Sequence, residues 1–259
     1  MKMIESLQNE RIKKLSRIIT DNRFRKKARI FVVEGKQENE RALRFGYEAE
    51  EFYIAQSIYN AEPPSGKVCE VSPKVYEKLA YRGKAEGIIG LYREKECSLE
   101  DFNPSPQSSV IVVESLEKPG NLGAILRSCE AFGIEALLIA DPRLDIYNPN
   151  VIRSSVGCLF GMNVYQAEKE EIHSFMKDRD FKIFTTIMDS SARDIHTQDL
   201  SGRAALVFGT EHSGLSTFWQ GKGKNTLIPM AGSIDSLNLS NAVAISCYEI
   251  LRQKLQKKT

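Results

Sequence analysis

From residue 109 onward, short aliphatic runs alternate with segments of helical character, and this alternation restricts the fold more than any other feature of the chain. VIVVES (110–115), ALLIA (136–140), FKIFTTI (181–187), ALVFG (205–209) and NTLIP (225–229) read as strands. LGAILRSCEAF (122–132), ending at Gly133, and a last segment from about Asn238 to Lys254 read as helices. Strands alternating with helices imply an α/β domain with a parallel sheet covered on both faces.

Residues 97–108, CSLEDFNPSPQS, are polar and hold two prolines, so they read as a linker. They divide a first domain, 1–96, from a second, 109–259. In the first, Ile4, Leu7, Ile12, Leu15, Ile18 and Ile19 predict a helix within 4–19. FVVE (31–34), EFYIA (51–55) and GIIGLY (87–92) read as strands. A helix runs from Gly35 to about Phe45. Ser72 followed by Pro73, an N-cap and a proline at the first helical position, starts another through Ala80.

Whole-chain charge says little, since the net is only +2 over 259 residues. Its distribution says more. Between Glu10 and Arg29 nine basic residues face two acids, leaving −5 for the remainder. Arg11, Lys13, Lys14, Arg23, Arg25, Lys26 and Lys27 are therefore candidates to grip a nucleic-acid phosphate backbone, although a solvated basic helix explains the charge as well. Phe24 is either a base-stacking residue or part of the core. The five cysteines are scattered, with no zinc spacing, which predicts a reduced cytoplasmic protein without a metal. No apolar signal core and no run near the ~20 residues of a membrane span are present.

Ligands of parallel sheets bind beyond the carboxyl ends of strands, and three loops there stand out. Lys118-Pro119-Gly120-Asn121-Leu122-Gly123 leads into a helix bearing Arg127 and suits an anion, or is an ordinary turn. Gly209-Thr210-Glu211-His212-Ser213-Gly214-Leu215-Ser216 follows the buried ALVF run, and its glycines allow close backbone approach or merely a tight turn. The third, 228–240, ends in Ser236 and Asn238, which orient a reacting group or cap the last helix. Spacing alone also admits a Rossmann-type nucleotide site, with Asp141 after ALLIA as the ribose-binding acid.

Taken together and in this order, the loops resemble the signature motifs of the SpoU/TrmH branch of the SPOUT methyltransferases. Asn121-x-Gly123-x-x-x-Arg127 is similar to the first, Gly209-x-Glu211-x-x-Gly214-Leu215-Ser216 to the second, and Ile228-Pro229-Met230 with Ser236-Leu237-Asn238-Leu239-Ser240 to the third. The match covers about 109–256. Residues 3–45 resemble, more loosely, the L30e-like domain that many of these enzymes carry. The resemblance implies a trefoil knot, a homodimer formed through the C-terminal domain, and S-adenosylmethionine bound on the knot loops by Gly209, Ile228, Met230, Ser236 and Leu237. It implies a reaction site of Asn121, Arg127, Glu211, Ser236 and Asn238. His212, where many members have glycine, is a departure.

The implied activity is RNA ribose 2′-O-methylation, with ribosomal RNA favoured over transfer RNA. A guanidinium has a pKa above about 12 and is a poor base, so Arg127 is expected to hold a phosphate and stabilise the developing alkoxide. The N-terminal domain would choose the RNA, and its removal is expected to leave cofactor affinity near normal. A non-catalytic RNA-binding protein that keeps the fold is the competing class.

Overall fold

The computed structural model describes residues 3–80, 86–210, 213–234 and 236–257. In chain order the first elements are α1 (Glu10–Thr20), α2 (Asn22–Ala28), β1 (Ile30–Glu34), α3 (Lys36–Arg44), β2 (Ala49–Ile54), β3 (Val68–Glu70), α4 (Pro73–Leu79) and β4 (Ile88–Arg93). Then follow β5 (Ser109–Glu114), α5 (Pro119–Ala131), β6 (Ala136–Ala140), α6 (Pro149–Ser154), α7 (Cys158–Gly161), β7 (Asn163–Ala167) and α8 (Lys169–Asp178). The chain ends with β8 (Lys182–Thr185), β9 (Arg193–Asp194), β10 (Ala204–Phe208), β11 (Lys224–Leu227) and α9 (Leu239–Gln256).

Two compact units result. The first comprises Met1–Glu96 together with Asp145–Gly161, and the second Cys97–Leu144 with Met162–Thr259. The segment between β6 and β7, which the sequence places within the second domain, thus packs in the first unit.

In the first unit a mixed sheet has the order β1-β4-β2-β3, with only β2 and β3 parallel. Asn9 caps α1 by accepting from the Arg11 N–H, and Ile12, Leu15 and Ile18 form its buried face. The helix does not extend back to residue 4: Ile4 bridges Val71 and its N–H donates to the Glu70 carbonyl at 2.9 Å. Asp21 ends α1 and caps α2, accepting from the Phe24 N–H at 3.0 Å. Ser72 caps α4 through the Val75 N–H, as its Ser-Pro start predicts. Phe31 on β1 stacks on Tyr147 with ring centroids 4.3 Å apart, and Phe160 of α7 joins the same aromatic cluster. Removing residues 1–95, expected from the sequence to weaken RNA binding and leave cofactor affinity near normal, would also uncover this apolar surface of 145–161.

Arg25 requires a correction. It is 2% exposed; its Nε donates to Asp145 Oδ2 at 2.9 Å and its Nη1 to the carbonyls of Ile18 and Ile19. A guanidinium so enclosed is a structural tie, not an RNA contact, because it is buried, Nε and Nη1 are committed to protein acceptors and its charge is paired with Asp145. Phe24 is half-buried against the core and lies under the Arg17 guanidinium, 4.2 Å from the ring centre.

In the second unit all seven strands are parallel to their neighbours, in the order β7-β6-β5-β10-β8-β11-β9. The central strands β5, β6 and β10 are buried along their whole length, which explains their uninterrupted apolar character. Helices α5 and α9 pack against each other. All five cysteines are free thiols. Among the described residues no helix is long and apolar enough to cross a membrane.

Candidate active site

The sheet changes its direction of growth at β5: β6 and β7 extend it one way, β10, β8, β11 and β9 the other. A crevice opens outside the carboxyl ends of strands at such a point. The first turn after β5 touches the segment after β11 through Asn121 and Asn238, and the segments after β10 and β11 share a cavity.

Pro119 opens α5, so Gly120 and Asn121 lie in its first turn rather than in a loop before it. Proline is at home at that position because its missing N–H has no helical partner. Arg127 stands exposed on the same helix.

The second loop closes on itself. Thr210 and Gly214 exchange backbone hydrogen bonds of 3.0 and 3.1 Å, and the Ser213 N–H donates to Thr210 Oγ1 at 3.1 Å. A Cβ on Gly209 would lie 2.0–2.2 Å from backbone atoms of Gly214 and Leu215, so only glycine fits. Glu211 and His212 lie outside the described residues. In the third loop, Asn238 caps α9 by accepting from the Ser240 N–H and hydroxyl, and its Nδ2 faces Asn121 Oδ1 at 3.4 Å.

A cavity of ≈ 360 Å³ lies between the second and third loops. Gly209, Ile228, Met230, Ser236 and Leu237, the residues expected to hold a cofactor, all line it. Asn121 and Asn238 meet beside it through the contact just described. Thr186, Met188 and Ile195, after β8, also line it and were missed by sequence reasoning. FKIFTTI was a signal, since its end is another carboxyl end of the same sheet. Leu239, a member of the third motif, lines it as well, as do Ala242 and Ser246 from the inner face of α9, for which the sequence offers no signal beyond helical periodicity. Apolar side chains beside backbone N–H and C=O groups suit a flat heteroaromatic ring with polar edges. The strand ends and Gly209 supply close backbone approach. The cavity therefore fits S-adenosylmethionine.

Residues 108–248 match the SpoU rRNA Methylase family, and residues 9–90 match the MRM3-like substrate binding domain. The chain belongs to the SpoU rRNA methylase family. It is an RNA ribose 2′-O-methyltransferase that uses S-adenosylmethionine. A crystal structure of an RNA 2′-O ribose methyltransferase superposes with a TM-score of 0.87 and 37% identity, covering 98% of this chain and 100% of that one. The 23S rRNA (guanosine(2553)-2′-O)-methyltransferase RlmP of Bacillus subtilis (strain 168) is 24% identical over 96% of this chain and 99% of its own. The 23S rRNA (uridine(2479)-2′-O)-methyltransferase of Streptomyces viridochromogenes is 33% identical over 147 residues, 54% of this chain and 51% of that enzyme.

Within the SpoU methylase the Rossmann-type reading of Asp141 fails. Its carboxylate accepts from the Lys169 N–H at 3.0 Å and from Nζ at 2.7 Å, closing the start of α8. Burial alone would raise that carboxyl, but the Lys169 bonds outweigh burial and hold it below the ordinary carboxylate range. In the first unit Lys13, Lys14, Arg23, Lys26 and Lys27 are exposed, while Arg11 is half-buried and paired with Glu51.

Proposed function

We propose that this methylase acts on ribosomal RNA, transferring the methyl group to a ribose 2′-oxygen beside Asn121, Arg127, Ser236 and Asn238. Glu211 is assigned to the same reaction site by motif alone. The carrying observation is the convergence of the three loops: one cavity lined by Gly209, Thr210 and Gly214 together with Ile228, Met230, Ser236 and Leu237, and the Asn238–Asn121 contact next to it. Gly209, Ile228, Met230, Ser236 and Leu237 hold the donor. Ribosomal RNA is favoured by the printed activities of both relatives above, one of them matching over its full length.

The bound donor supplies an electrophilic methyl group on a sulfonium. The chain's own work is alignment, which is worth several kcal/mol, and stabilisation of negative charge as the hydroxyl loses its proton. Arg127 is exposed on α5 and its charge is permanent, so it holds a substrate phosphate and steadies the developing alkoxide. Asn121 and Asn238 fix that arrangement. Lys13, Lys14, Arg23, Lys26 and Lys27 contact RNA backbone from the first unit. The protein works as a homodimer through exposed apolar residues of α9, Ile245 and Tyr248, which a lone protomer leaves in water. The knot belongs to the same reading and rests on the likeness to the family.

The test incubates the protein with labelled S-adenosylmethionine and either ribosomal or transfer RNA, then maps 2′-O-methyl positions. Label in ribosomal RNA is expected, and label confined to transfer RNA would overturn the substrate. Arg127→Ala should lower turnover about 10²–10³-fold with donor affinity unchanged. Loss of donor binding with RNA binding intact would refute the role given to Arg127. Light scattering at a monomer's mass would refute the dimer.

A further inference from the structure

Glu114 lies outside the three signature loops, yet the structure gives it two bonds to one of them. It is the last residue of β5, on one side of the point where the sheet changes direction, and it is 4% exposed. The backbone turns away immediately after it: Ser115 has φ +50° and its N–H donates to the Ala140 carbonyl at 2.8 Å. The Glu114 side chain therefore remains in the crevice between the ends of β5 and β10. Its Oε2 accepts from the Ser216 N–H at 2.9 Å and its Oε1 from the Ser216 hydroxyl at 2.6 Å.

A buried carboxylate is costly unless hydrogen bonds satisfy it, and bonds to an ionised acceptor are the strong ones. Spending both oxygens on one serine fixes the position and the direction of that serine's backbone. Ser216 is where the loop 209–216 ends and the turn Thr217–Trp219 begins. The other end of the loop is fixed by β10, and its middle by the Thr210–Gly214 pair. Gly209, Thr210 and Gly214, held between these points, form one wall of the cavity.

We propose that Glu114 is a positioning residue for methyl transfer: through Ser216 it sets the wall of the donor cavity made by Gly209, Thr210 and Gly214, without touching donor or RNA. This rests on the assignment of that cavity to S-adenosylmethionine. The carboxylate is required because one acceptor group must take two donors that approach from the same residue. A glutamine keeps one such acceptor and turns an N–H₂ donor towards the other.

Four variants decide it: Glu114→Ala, Glu114→Gln, Ser216→Ala and Glu114→Ala with Ser216→Ala. Donor affinity is read by calorimetry, RNA affinity by anisotropy, and kcat and KM with saturating RNA, with near-ultraviolet circular dichroism checking the fold. Glu114→Ala should raise Kd and KM for S-adenosylmethionine at least tenfold and leave RNA affinity within twofold. Glu114→Gln should recover part of that loss. Ser216→Ala, which keeps the N–H bond, should cost about threefold, and the double variant should be no worse than Glu114→Ala. Unchanged donor affinity in a folded Glu114→Ala protein, or additive losses in the double variant, would overturn the proposal. If Glu114→Ala does not fold, an unchanged donor Kd in Ser216→Ala overturns it instead. A wild-type protein that binds no S-adenosylmethionine refutes the assignment of the cavity, and is told apart by that control.

Discussion

Asn238 Nδ2 stands 3.4 Å from Asn121 Oδ1, while Oδ1 of the same Asn238 accepts from the Ser240 N–H at 2.9 Å and caps α9. One side chain thus starts the last helix and reaches the first turn of α5. Substitution separates the two tasks. Asn238→Ser keeps a capping oxygen but is too short to reach Asn121, so thermal stability should stay near wild type while turnover falls. Asn238→Ala should lose both, at a further cost of about 1 kcal/mol for the cap. Thermal melts beside methyl-transfer rates check this, and full turnover in Asn238→Ser would reduce Asn238 to a cap.

Gly209→Ala tests the close approach of the second loop. The added methyl would meet backbone of Gly214 and Leu215, which cannot swing aside as a flexible side chain would. The loop must move, so donor affinity should fall about tenfold or more and stability by roughly 1–3 kcal/mol, the usual range for overpacking. Calorimetry with S-adenosylmethionine reads the first, and denaturant unfolding the second.

Arg25→Ala leaves Asp145 buried without its partner. Removing one member of a buried pair costs about 3–5 kcal/mol, and urea unfolding followed in the first unit should show a loss of that order. Arg25→Met combined with Asp145→Leu should recover most of it. Lys26→Ala, by contrast, removes an exposed cation, so it should leave stability unchanged and weaken RNA binding in a salt-dependent way. A Lys26 variant insensitive to salt in its binding defect would contradict an RNA-backbone contact.

Burial raises the Glu38 carboxyl above the ordinary range, and the neighbouring Glu86 adds to the effect. The folded state then holds the proton more tightly than the unfolded chain. The stability this gives is fully present below the unfolded pKa and is lost as pH rises through the folded one. Glu38→Gln removes that dependence. Its stability gain should be clear at pH 7.5 and shrink towards pH 4, as urea midpoints across that interval will show. A gain that grows on acidification would refute the sign.

Much of this architecture was legible because its signals are local. The strands VIVVES, ALLIA and ALVFG carry their burial in an unbroken apolar run, and β5, β6 and β10 are found there. Ser72-Pro73 announced α4 through capping chemistry. Local signals also misled. Ile4 and Leu7 continue a helical period, but Ile4 pairs with Val71, and only the sheet beside it shows why. The Lys118–Gly123 stretch contains glycines, yet Pro119 at the first helical position had already marked α5.

The sequence alone determined where backbone can approach a ligand, because glycine at 209 and the strand-end positions of 228–238 carry that property wherever they sit. It also determined which stretches are buried strands, since burial leaves a mark on each residue. Only the tertiary structure decided that Arg25 is enclosed by Asp145 rather than turned to RNA, that Asp145–Gly161 packs with the first unit, and that Glu114 grips Ser216. These are meetings between residues far apart in the chain, 120 positions for Arg25 with Asp145 and 102 for Glu114 with Ser216. A charged residue reads the same in sequence whether its partner is water, phosphate or a buried carboxylate, and only the folded chain says which of them it meets.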